Sequence, residues 1–384
     1  MKPRKFLPFL AAFCFAHTAP ASEITWDTTT GDNAVVGGAG DWNTSTTHWT
    51  TDGGDTNIAW DNSANASDTA LFTTGTGRIL ITEDIDLAGI TLSSVNSSTI
   101  GGRGSMVYVF QGAGNLDFGG QQGAIDTTAI GLLNSQIDNN LTGTGGLVIN
   151  ATGGASGDGR LILVGDNTGL SGGITVNSGL LAFNNPNALG ANTITLNGGG
   201  LFGPVQYSGT ASTAVAGATA VTVTNDIVLN EVADPNLFRI WGGRTVAFSG
   251  VISGSGELHK TDGGTAVMDN AGNTLESDVF VKSGLLRVGQ SNSNSPTFGT
   301  AAAIAGSSLT VESGGTLELL RDHSGGFQTV NWSVPDITLD GGTLQFRGTT
   351  GSNGQNLAAD IHVASASTIS YNGGGFQGGC PAQP

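Results

Sequence analysis

One short phrase recurs along this chain and limits what it can fold into. "VNSGLLAF" runs from Val176 to Phe183 and "VKSGLLRV" from Val281 to Val288. "VESGGTLELL" follows from Val311 to Leu320, and "LDGGTLQF" from Leu339 to Phe346. Each copy reads as two short alternating strands around a Ser-Gly, Gly-Gly or Asp-Gly turn. A strand-turn-strand unit repeated along a chain cannot bury its apolar face alone. Stacked copies bury it together, so the phrase predicts an elongated coil stack.

Composition agrees with this. Glycine supplies 63 of 384 residues, but no three-residue period accompanies it and there are only 10 prolines, which excludes collagen. Hydrophobic residues make up 38%, organised into short runs, which argues against disorder. Ile79, Ile81, Ile85, Leu87, Ile90 and Leu92 nearly alternate, as inward positions of strands do. Ala211 to Ala220 is the best helix-like segment and reads equally as a loop.

The first 21 residues read as an export signal. Lys2, Arg4 and Lys5 precede the apolar run Phe6 to Ala16, and Ala19-Pro20-Ala21 is a small-x-small cleavage site. Cys14 follows Phe13, where a lipoprotein signal wants a small residue. Cleavage removes three basic residues and takes the formal charge from −17 to −20. An acidic chain without a basic stripe is not built for nucleic acid. The mature chain keeps one cysteine, Cys380, so no intrachain disulfide holds it. No transmembrane segment is read in the mature chain.

The organisation expected is a signal at 1–21, a Trp-rich capping segment at 22–76, a coil stack at 77–372 and a tail at 373–384. Four of the six tryptophans, Trp26, Trp42, Trp49 and Trp60, fall in the cap. A stack needs a sealed end, since its first coil otherwise exposes apolar rows and unpaired backbone. The stack is expected to hold about thirteen coils of about 22 residues, a rod of about 60 Å. Val281 and Val311, and Val176 and Leu196, are spaced as successive coils would be. An antiparallel sandwich is the competing all-β reading.

The segment "GRLILVGDNTGLSGGITVNSGLLAFNNPNALGANTITLNGG" resembles the autotransporter-associated β-strand repeat. The matching residues are Gly165, Asn167, Thr168, Gly172, Gly173, Val176, Gly179, Leu180 and Asn187 to Gly190. The later copy departs, with "LESDVFVKSG" and "SPTFG" in place of the Gly-Gly entry and "NALG". The resemblance implies a right-handed, single-stranded parallel β-helix, secreted or held at a bacterial cell surface, with outer-membrane association. The function read for the chain is a structural or adhesive passenger without enzymatic activity. Typical members continue into an outer-membrane barrel. None is read here, which leaves another export route or a longer protein as open readings.

Parallel β-helices include carbohydrate-active enzymes, whose sites need clustered acids or a basic group on one exposed face. Asp84 and Asp86 alternate in "TEDIDL" and share a face, as a paired-carboxylate site would. Asp158, Asp166 and Asp226 read as turn caps. Arg239, Arg244 and Arg287 are scattered. His17, His48, His259, His323 and His362 fall one to a region, so neither a triad nor a zinc site is legible. "TDGGD" at Thr51 to Asp55 holds carboxylates around glycines without an EF-hand spacing. Catalytic residues, metal ligands and cofactors are therefore read as none. The candidate binding residues are Trp42 and Trp49, whose rings suit stacking on sugars. The bland reading makes them plugs of the stack. The partners admitted are a cell-surface or matrix polysaccharide, or another surface protein. The alternative function is a carbohydrate-binding or polysaccharide-degrading β-helix.

Overall fold

The computed structural model describes residues 22–100, 103–153, 159–205, 219–289, 307–321, 330–332, 334–348, 355–357 and 359–373. The signal at 1–21 with Cys14 and His17 lies outside them. So do Asp158, residues 206–218, His323 and residues 374–384 with Cys380.

Short runs of two to five residues between glycines and asparagines make short strands, and each turns through a corner into the next. Ile194–Leu196 lies on a first face, Gly200–Gly203 on a second and Ala220–Val223 on a third. Ile227–Leu229 then returns to the first, directly beside Ile194–Leu196. The chain is thus a three-sided coil, and pairing runs between coils in parallel. Among the described residues the main sheet of the first face has 12 strands and that of the second 14, of which Ser98–Ile100 lies off the main path. The third face begins as a 3-stranded sheet of two-residue strands and continues as a 7-stranded one. This is a parallel β-helix, and it excludes the antiparallel sandwich. Val176 pairs with Leu196, and Val281 with Val311, as their spacing predicts.

Like residues stack into inner rows. Ile24, Ala70, Ile90, Ile125, Ile149, Val176, Leu196 and Leu229 follow one another on the first face, each at most 2% exposed. All six residues of the alternating Ile79 to Leu92 series are buried as well. Burial of such a row is the main stabilising term, since no single coil holds enough apolar area. The second face differs. Arg160–Leu163 and Leu180–Phe183 are buried at every position. Their outward residues Ile162, Leu180 and Ala182 join a separate apolar cluster with Met106, Val109 and Phe202. Strands buried on both sides read as continuous apolar runs, which is why "RLIL" and "LLAF" do not alternate.

The repeated phrase marks a corner, but not one corner. In the first copy, Gly179 (φ 68°) turns the chain from the first face to the second. In the second, Gly284 (φ 68°) turns it from the second face to the third. Both conformations favour glycine, which has no Cβ to clash.

Pairing begins before residue 77. Glu23–Trp26 lies parallel to Thr69–Phe72, and Gly40–Trp42 lies parallel to Gly77–Ile81. Trp49–Thr50 and Asn57–Ile58 then add in antiparallel fashion and end the first sheet. The first rung therefore lies inside the Trp-rich segment.

Candidate functional site

The tryptophans of the opening segment face inward. Trp26, Trp42, Trp49 and Trp60 are each at most 1% exposed. Their rings interlock at centroid distances of 4.8 Å (Trp42–Trp49), 4.9 Å (Trp49–Trp60) and 5.1 Å (Trp26–Trp49). Phe72 stacks 5.7 Å from Trp26. Trp26 Nε1 donates to the Gly38 carbonyl, and Trp60 Nε1 to the Asp86 carbonyl, each at 3.0 Å. The indole N–H groups of Trp42 and Trp49 are buried without an acceptor. Neither ring has a face open to a sugar, so the two candidate glycan contacts sit inside the end plug. Of the tryptophans whose side chains are described, Trp241 is the exposed one, on the turn after Asn236–Ile240.

The surface feature with the most chemistry is a cleft of about 380 Å³ beside the short helix Asn62–Asn65. Asp61 caps this helix, accepting from the Ser63 N–H at 2.9 Å. Asn62 then fastens it to the coil. Its amide donates to the Asp84 carbonyl at 2.9 Å, and its oxygen accepts from the Asp86 N–H at 3.0 Å. On the opposite wall, Gln121 Nε2 donates to the Ala66 carbonyl at 2.9 Å. Ser63 and Ser67 line one side, Asp86, Asp117 and Gln121 the other, above the buried ring of Phe118.

Asp86 and Asp117 stand opposite each other on adjacent rungs. Asp117 accepts from the Gly119 N–H at 2.8 Å, and Asp84 from the Asn115 N–H at 2.8 Å. Burial raises the pKa of Asp86 above the ordinary aspartate value, and the charges of Asp117 and then Asp84 add to it. The sequence set Asp84 beside Asp86. The rung partner of Asp86 comes instead from the next coil, which no local pattern reveals. Two carboxylates, two serine hydroxyls and an amide give a cleft of acceptors and small donors. Such a surface suits hydroxyl-rich or cationic groups.

The scattered arginines also find company. Arg239 Nε lies 2.9 Å from Asp262 Oδ2. Arg160 and Arg239 lie 4.2 Å and 5.1 Å from the centroid of the Phe202 ring. The Trp241 ring is 5.8 Å from the same ring. Arg287 pairs with the buried Glu318. Among the described residues, no group of three His, Cys, Asp or Glu side chains is placed to hold a metal. No helix among them is long and apolar enough to cross a membrane.

Over 402 aligned positions, 96% of this chain, the sequence is 29% identical to the adhesin BmaC autotransporter of Brucella suis biovar 1 (strain 1330). The chain spans 11% of that protein's length. No family model matches the chain, and no solved structure matches it. The similarity and the parallel coil together fit an autotransporter passenger.

Proposed function

We propose that this chain is an adhesive segment displayed at or released from a bacterial surface, acting by binding and not by catalysis. The similarity to an autotransporter adhesin across nearly the whole chain carries this reading. The fold supports it physically. A stacked coil holds outward side chains at fixed spacing on a long rigid support, while its corners tolerate loops of any length. The test is binding of the purified chain to cultured host cells and to immobilised matrix polysaccharides and proteins. Saturable binding to at least one surface is expected. Uniform failure, with the coil intact by circular dichroism, would count against adhesion.

The cleft favours a carbohydrate as second reading. Asp86 and Asp117 together supply acceptors for sugar hydroxyls, and the Ser67 hydroxyl and the Gln121 amide supply donors. Asp86→Asn with Asp117→Asn is expected to remove glycan binding and leave the melting temperature unchanged. Release of reducing ends from a bound polysaccharide, lost in the same variant, would replace binding by hydrolysis as the function of the cleft.

A further inference from the structure

The opening segment brings two acidic loops together around a buried carboxylate. From residue 22 to residue 77 the chain carries eight acidic residues and neither lysine nor arginine. Asp27, at the end of the strand Glu23–Trp26, is fully buried. Its Oδ1 accepts from two backbone groups, the Val36 N–H at 3.0 Å and the Thr29 N–H at 3.1 Å. Its Oδ2 is buried with no hydrogen-bond partner. Among the described residues no basic side chain pairs with it.

A second free oxygen belongs to the same junction. Asn57 donates its amide to the carbonyls of Asp27, at 2.9 Å, and Thr29, at 2.6 Å. Its own Oδ1 is buried without a partner. The loops that carry these residues touch. A Cβ on Gly54 would lie 2.2 Å from the Ala34 carbonyl oxygen, so only glycine fits between them. Asp32 lies on the first loop, and Asp52 and Asp55 on the second. Asp32 and Asp52 are engaged in turn hydrogen bonds.

A buried carboxylate without a cation costs several kcal/mol, and acceptor oxygens cannot satisfy one another. Both oxygens belong to residues held together by the bond from the Asn57 amide to the Asp27 carbonyl, and a hard cation is a partner that both accept. We propose that the Asp27–Asn57 junction is a divalent-cation site of calcium type, with Asp27 Oδ2 and Asn57 Oδ1 as its side-chain ligands. The ion ties the two loops to each other across the sealed end of the coil. A mixed set of carboxylate and amide oxygens suits calcium better than magnesium, which demands a small regular octahedron. With one carboxylate in the set, affinity falls in the roughly millimolar class of extracellular modules. The same low charge count explains why no three-acid cluster marks the site.

Terbium provides the test, because Trp26 adjoins Asp27 and sensitises emission from a lanthanide bound there. The full chain, stripped with EDTA, is titrated with terbium under tryptophan excitation and then with calcium or magnesium. Saturable emission displaced by calcium at about millimolar concentration is expected, with a higher melting temperature in calcium than in EDTA. Asp27→Asn should weaken terbium binding at least tenfold and abolish the calcium-dependent shift. Asp52→Asn with Asp55→Asn should keep both. Should Asp27→Asn not fold, Asn57→Leu carries the same expectation. Absence of sensitised emission from the wild-type chain overturns the proposal. Emission that survives in Asn57→Leu but is lost with the exposed acids overturns it too, and displacement by magnesium as readily as by calcium overturns the calcium assignment.

Discussion

Lys260 occupies an inner-row position between Phe238 and Val281, where the neighbouring coils place hydrophobes. Its ammonium donates to the carbonyls of Asp262 at 2.8 Å, and of Thr261 and Ser283 at 2.9 Å, so it clamps the corners of two coils. Burial lowers its pKa to about 8, with the Asp262 charge opposing. The folded pKa lies below the unfolded value, so the unfolded chain holds more protons between about pH 8 and pH 10.4. Stability contributed by Lys260 therefore rises with pH through that window and is flat below it. Measured by urea unfolding, wild type should gain on Lys260→Met by up to about 3 kcal/mol between pH 7 and pH 10.5. A constant difference would show that burial does not perturb the amine. The tryptophans teach a different lesson. Their number and spacing were legible, but a sugar platform and an end plug both call for large aromatic rings. Only burial separates the two. Trp49→Ala is expected to cost roughly 3–5 kcal/mol in thermal or chemical unfolding, as a cavity in a packed core does.

The corner glycines and buried asparagines decide whether an element forms. A Cβ on Gly284 would meet the Asp262 and Gly264 carbonyl oxygens at 2.3 Å and 2.5 Å. Gly284→Ala should thus cost roughly 2–4 kcal/mol. Gly53 has a comparable φ of 84° but nothing within 4 Å of its Cβ position. Gly53→Ala should cost about 1 kcal/mol, so comparing the two variants by denaturant midpoint separates crowding from backbone strain. Asn167 is fully buried and joins three coils. It accepts from the Leu141 N–H at 2.7 Å and donates to the Ala188 carbonyl at 2.8 Å. Asn167→Ala strands both backbone groups and should cost roughly 2–4 kcal/mol by the same measurement. Val-x-Ser-Gly-Leu-Leu was legible as a strand, a corner and a strand. Which corner it serves was not, because Gly179 and Gly284 solve the same local problem between different faces. The outward burial of Leu180 and Ala182 was equally hidden, since it depends on chain distant in sequence. The Asp86–Asp117 pair was missed for that reason too.

At the scale of the molecule, one register runs through coils of very different length. Leu163 pairs with Phe183, twenty residues on, while Leu201 pairs with Phe238, thirty-seven on. The pairing keeps its phase because each corner can extrude a loop without moving the strands. Most second-face separations exceed the about 22 residues expected per coil, as from Val281 to Val311 and from Val311 to Leu339, so that expectation was too short and no strict period was visible. The same freedom at the corners explains how such a coil can vary its loops while keeping its support. The central claim is that sequence separation converts to distance one rung at a time. Thr69, Thr195 and Thr274 stand on one outward row of the first face, with Gly89, Ala124, Val148 and Thr175 filling the rungs between the first two. Val228 and Ser253 fill those between Thr195 and Thr274. Spin labels on cysteines at these positions, in a chain whose native cysteines are replaced by alanine, give the distances by pulsed electron resonance. The stacked coil predicts about 24 Å from Thr69 to Thr195 and about 38 Å from Thr69 to Thr274, at about 4.8 Å per rung. A Thr69–Thr274 distance no longer than the Thr69–Thr195 distance would contradict the coil.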